Sequence, residues 1–158
     1  MFTPDERRQR IEMMRQFPAE LEALVKDLSD ADLHTPYLAG EWTVAQNVHH
    51  VADSHMHAFI RVKLALTEDY PTIKPYNQDA WAETPDARTF PITASLTLIK
   101  ALHERWCALW DSLSDDQWQR AVKHPESGDV TVEGFLKTYS NHGAAHIDQI
   151  RRTLAAKG

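Results

Sequence analysis

The chain has 158 residues, 42% of them hydrophobic and 25% charged, and a formal net charge of −6. That length and composition fit a single domain over residues 1–158, able to bury about 70% of the surface its unfolded form exposes, and the acidic balance, with no basic stretch to offset it, excludes a nucleic-acid partner. One cysteine, Cys107, excludes an internal disulfide and a cysteine-built zinc site.

In chain order the apolar spacing reads as helices throughout. Pro4 sits in a first turn after Thr3, and Ile11, Met14, Leu21, Leu24, Val25 and Leu28 mark one face of a helix ending near Ser29, with a kink or break expected at Pro18. Residues 35–40 read as loop, and Thr43 caps a second helix over 44–67. Residues 68–89, with Pro71, Pro75 and Pro85, form a long crossover connection that is either functional or a carrier of short helices. Ile92, Leu96, Ile99, Leu102, Trp106, Leu109, Trp110 and Leu113 give a third helix over 91–113, and Ser114 with Gln117 marks a capping box for a short turn through Arg120. A turn over 125–129 precedes a fourth helix, opened by Thr131 and running to about Ala156. Four long helices without an alternating strand pattern predict an all-α four-helix bundle. No run of eighteen apolar residues occurs, and the first ten residues, MFTPDERRQR, lack the apolar stretch of a signal peptide, so a cytoplasmic protein with no membrane partner is expected.

The chemistry concentrates in histidine. His142 and His146 lie four residues apart on the fourth helix, a spacing that turns the second ring about 40° and moves it about 6 Å along, so both can reach one metal ion. A third ligand is expected from the cluster His49, His50, His55 and His57. On the second helix Val44, Val48, Val51, Ala58, Val62 and Leu66 trace an apolar stripe, and His50, Ser54, His57 and Arg61 trace a polar stripe that reads as a cavity wall. His50 leads on that pattern, and His49 stays open. His34, His103 and His124 stand apart from the cluster and are given no ligand role.

The same residues carry a family resemblance. The run EWTVAQNVHHVADSHM over 41–56, IRVKLALTED over 60–69, PTIKPY over 71–76, AWAE over 80–83, HPESG over 124–128 and YSNHGAAHIDQI over 139–150 resemble the YfiT-like branch of the DinB superfamily. The resemblance implies a four-helix bundle, a homodimer, and one divalent ion, zinc or nickel, held by the second histidine of the pair, His50, with His142 and His146. It also implies a metal-dependent hydrolase, while relatives in the wider superfamily transfer low-molecular-weight thiols or isomerise thiol-bound substrates. The chain departs from many members in carrying Ala145 where they have a histidine, and in the residues around Asp148.

Three neutral imidazoles leave an open coordination position at which a water is acidified and an ester, amide or phosphoryl oxygen polarised, which suits hydrolysis of a small molecule. Gly143 follows His142, so the glutamate of an HExxH motif is missing and the base lies elsewhere. Asp53 and Asp148 are candidates, as bases or as partners that fix histidine tautomers, against the plain alternative of solvated helix-face acids. His57 and Arg61 are candidates to bind an anionic substrate group, and residues 71–82, with Lys74, Tyr76 and Trp81, either lie over the site as a lid or close the bundle. The alternative chemistry is transfer of an external thiol bound as thiolate, because Cys107 on an apolar helix face reads as inert core. A third alternative is a metal-binding bundle with no turnover.

Overall fold

In a computed structural model that describes residues 1–157, helix α1 (Pro4–Val25) opens on a capping box. Glu6 N donates to Thr3 Oγ1 at 3.2 Å while Thr3 N donates to Glu6 Oε2 at 2.6 Å. Gly158, the last residue of the expected domain, lies outside the described residues. Ile11, Met14, Phe17, Leu21 and Val25 recur every three or four positions and are buried. The break expected at Pro18 does not occur, because the one carbonyl that a proline deprives of its helical donor finds another. Pro18 has no N–H for Met14 O, and His103 Nδ1 lies 2.6 Å from that oxygen.

The first helix also stops short of Ser29. Ser29 instead caps a separate short helix, α2 (Asp30–His34), through a capping box with Asp32. Thr43 and Gln46 form the next box and start α3 (Val44–Thr67). The crossover carries two short helices, α4 (Gln78–Ala82) and α5 (Pro85–Thr89). There follow α6 (Ile92–Asp111) and the short α7 (Asp115–Trp118), whose Ser114–Gln117 box was legible in the sequence. The last helix, α8 (Val132–Ala155), begins at Thr131, whose Oγ1 accepts from Gly134 N.

Between α7 and α8 lies an antiparallel hairpin that the helical reading lacked: β1 (Ala121–His124) and β2 (Gly128–Thr131), with Val122 opposite Val130. Each strand has four residues, too few for an alternating pattern to register. Gly128 takes φ +76 where the chain returns, a conformation favouring glycine. Val122 is fully buried, and the crossover adds to the outer edge of β1, with Lys123 N donating to Pro71 O and Ile73 N donating to Lys123 O.

The four long helices form the bundle. Helices α1 and α3 each pack against both α6 and α8, so the first two long helices stand diagonally opposite. Helix α3 is buried on nearly every face, because the crossover covers the side that the bundle does not. Its polar residues hold that cover in place. Gln46 Nε2 donates to Ala82 O, His49 Nε2 to Phe90 O, and Arg61 Nη2 to Lys74 O, while His57 stacks on Tyr76 at 4.4 Å. No helix among the described residues is long and apolar enough to cross a membrane.

The approach of α1 to α8 depends on Gly143. A Cβ there would lie 2.6 Å from the Phe17 ring, which is itself buried and packed on His55 and His103. Gly143→Ala is therefore expected to cost about 1–3 kcal/mol of stability, read as a lowered urea midpoint with an unchanged slope.

Candidate metal centre

One turn of α8 carries His142 and His146, and the first half of α3 carries His50 toward them. His50 Nε2 lies 3.4 Å from His142 Nε2, and His146 Nε2 lies 3.2 Å from the same atom. One ligand atom from each of the three residues falls within 4.8 Å of the others. A zinc ion with nitrogen ligands at about 2.0–2.1 Å in tetrahedral geometry spaces them about 3.3 Å apart, so the two separations to His142 fit such an ion.

The pairing of the far nitrogen decides which lone pairs face inward. Asn47 Nδ2 donates to Thr43 O at 3.0 Å and to Trp42 O at 3.4 Å, which turns Asn47 Oδ1 toward His146 Nδ1 at 2.8 Å. An amide oxygen only accepts, so His146 Nδ1 carries the proton and its Nε2 presents a lone pair. His142 Nδ1 is engaged likewise, 3.1 Å from His55 Nε2. Burial lowers His50 to about 4, and burial, then the neighbouring imidazoles His146 and His50, lower His142 to about 3. His146 is lowered to about 4 by burial and then by His50. The rings are neutral at pH 7. Trp42 walls one side, its ring 4.6 Å from His50 and parallel to His146 within 7°.

An open cleft of about 430 Å³ lies over the triad, and its remaining wall is Gly40, Glu41, Trp42, Gln78, Asp79 and Gln149. Gln78 and Asp79 come from the crossover, so part of the 71–82 segment borders the site. Glu41 Oε1 accepts from Arg152 Nη1, while Glu41 Oε2 is buried without a hydrogen-bond partner among the described residues.

The other expected site residues lie elsewhere. Asp148 is 71% exposed and pairs with Arg152 outside the cleft wall. Asp53, pushed up to about 6 by burial and then by Asp86, is also outside that wall. The polar stripe is divided: His50 faces the cleft, whereas His57 and Arg61 grip the crossover. His49 is spent on Phe90 and on Ser95 Oγ, away from the triad. Cys107 is buried and pushed up to about 11 by desolvation, so it holds its proton. His103, which stood apart in sequence, lies 2.7 Å from His55 and so two rings from the triad. His55 and His103 are what the sequence concealed, since nothing in their local spacing marks a contact between helices.

The fold and the site define a four-helix-bundle protein with a three-histidine pocket able to hold a metal ion. A sequence profile of the DinB superfamily matches residues 13–150, and the chain belongs to that superfamily. It is 43% identical over 148 residues to YfiT of Bacillus subtilis (strain 168), covering 91% of this chain and 83% of that one, and 44% identical over 147 residues to a Bacillus cereus (strain 03BB102) protein, with 91% and 84% covered. Both relatives bear the provisional name of metal-dependent hydrolase. The solved structure of YfiT from Bacillus subtilis superposes with a TM-score of 0.89 at 41% identity, over 96% of this chain and 89% of that one. A mycothiol-dependent maleylpyruvate isomerase superposes with a TM-score of 0.71 at 20% identity, over 94% of this chain and 62% of that one, a likeness that speaks to the fold alone.

The raised Asp53 gives a pH signature. Its folded value lies above the ordinary carboxylate value, so the folded state binds the extra proton and loses stability as pH rises from about 4 through about 6. Asp53→Asn is expected to raise the thermal midpoint at pH 7, with the gain shrinking toward pH 4, as followed by circular dichroism.

Proposed function

We propose that His50, His142 and His146 hold one divalent ion per chain, zinc or nickel, and that the protein is a hydrolase of a small molecule. The observation that carries this reading is the convergence of three imidazole edges within 4.8 Å, two of the separations being those a tetrahedral ion requires, beside side chains that tie up the far nitrogens of two of the rings. Three protein ligands leave a position open, which is the catalytic pattern rather than the structural one. A bound ion supplies Lewis acidity there, making water nucleophilic near neutral pH and drawing electrons from a substrate oxygen.

The chain's own groups do the rest. The indole of Trp42 excludes water from one side of the triad, and the amides of Gln78 and Gln149 on the cleft wall orient polar groups of the substrate. Glu41 and Asp79, the carboxylates on that wall, take the role of base sought at Asp53 and Asp148, with Glu41 Oε2 free to accept a proton. No protein nucleophile is needed. The family resemblance further supports a homodimer, and a single-domain, cytoplasmic chain is part of the same proposal.

Elemental analysis of untagged protein is expected to give about one zinc or nickel ion per chain, lost in the His142→Ala, His146→Ala double variant. Loaded protein is then assayed on ester, amide and phosphoester panels with and without a low-molecular-weight thiol. Turnover without thiol supports hydrolysis, turnover only with thiol replaces it by S-transfer, and thermal stabilisation by metal without any turnover leaves a non-catalytic metal-binding bundle. Of Glu41→Gln and Asp79→Asn, the variant lacking the base is expected to lose about 10²- to 10⁴-fold in kcat with its metal content unchanged.

A further inference from the structure

Behind the triad a line of buried rings runs to the middle of α1. Its contacts are His142 Nδ1 to His55 Nε2 at 3.1 Å, His55 Nδ1 to His103 Nε2 at 2.7 Å, and His103 Nδ1 to Met14 O at 2.6 Å. His55 and His103 are 0% and 1% exposed, so neither ring exchanges its partner for water.

The last contact sets the direction of all the others. A carbonyl oxygen only accepts, so His103 Nδ1 carries a proton, and in a neutral ring His103 Nε2 is then an acceptor. His55 Nδ1 must donate to it, which leaves His55 Nε2 an acceptor in turn. His142 Nδ1 therefore donates to His55, and the lone pair of His142 is left on Nε2, facing His50 and His146. His55 and His103 are sealed from water and meet no carboxylate among the described residues, so the rings are neutral and the sequence of donors and acceptors holds.

The anchor is set up by the primary sequence. In an uninterrupted helix Met14 O accepts from the N–H of residue 18, and here residue 18 is proline. The helix defect exposes one carbonyl, and that carbonyl faces His103. Phe17, packed 5.5 Å from His55 and 5.4 Å from His103, closes the line against the solvent side of α1.

We infer that Pro18, the Met14 carbonyl, His103 and His55 form a one-way hydrogen-bond relay that fixes the tautomer of His142 and so prepares the metal site from the far side of the bundle. His55 and His103 are positioning residues, with no contact to the ion or the substrate. The inference rests on the reading of the triad as a metal site for its purpose, and on the ring tautomers alone for its existence.

Two measurements separate these. In metal-free wild-type protein, nitrogen–proton correlation spectra of the imidazoles are expected to show His142, His55 and His103 each as the single Nδ1–H tautomer. A proton on Nε2 of His142, or averaging between its nitrogens, overturns the relay whatever the protein does with metal. Zinc affinity, measured by competition with a chelator, is expected to fall about 10- to 100-fold in His55→Met, which fills the space without a donor or acceptor. It is expected to be restored to within about 3-fold in His55→Gln, whose amide accepts on one side and donates on the other. Equal affinity in wild type and His55→Met overturns the preparatory role while leaving the metal reading intact. Absence of zinc or nickel binding by the wild type overturns the metal reading and with it that role, and the spectra still decide the tautomers. Pro18→Ala leaves every ring in place and restores a competing donor, so the His103 Nδ1 proton is expected to move upfield; an unmoved resonance overturns the part given to Pro18.

Discussion

Water stabilises a charged imidazole far better than a bundle interior does, and five mutually connected histidines of this protein have been largely taken out of water. His50, His55, His103, His142 and His146 are all pushed toward their neutral forms by burial. A neutral imidazole in a dry setting still has one N–H to satisfy and one lone pair to place. Much of the architecture answers that requirement. Asn47, held by two carbonyls at the start of α3, satisfies His146, and the carbonyl released by Pro18 satisfies His103. Gly143 lets α1 come close enough for Phe17 to cover the rings.

The parts legible in sequence were those whose cause is local. The four long helices announce themselves by apolar spacing and by caps at Thr3, Thr43 and Thr131, and the metal-competent pair His142 and His146 by sharing one helical face. Where the cause is tertiary, the sequence was silent. Helix α3 is buried on nearly every face, so the contrast between its stripes favoured His50 without excluding His49; what separates them is that His49 meets Phe90 and Ser95 while His50 meets His142. The hairpin was missed because each strand is four residues long and draws its stability from Val122 in the core and from the crossover on its edge. Pro18 was read by its usual effect on a helix, which is overridden when another donor reaches the stranded carbonyl.

The crossover has a similar double character. A polar stripe on α3 looked like the wall of one cavity, and it proves to serve two tasks at different heights. Near its start it supplies His50 to the cleft, and farther along His57 and Arg61 fasten the covering segment. That fastening places Gln78 and Asp79 at the cleft mouth, so residues remote from any metal ligand in sequence shape the approach to the triad.

Every partner found for the triad's far nitrogens is uncharged: an amide oxygen for His146 and an imidazole for His142. Carboxylate partners, common behind metal-bound histidines, would offset part of a cation's charge, and among the described residues none is hydrogen-bonded to these rings. A cation held by these rings would therefore draw an anion toward the floor of the cleft. Glu41 and Asp79 at the rim repel the same anion. The floor and the mouth of the cleft would then act in opposite senses on any negatively charged molecule that enters it.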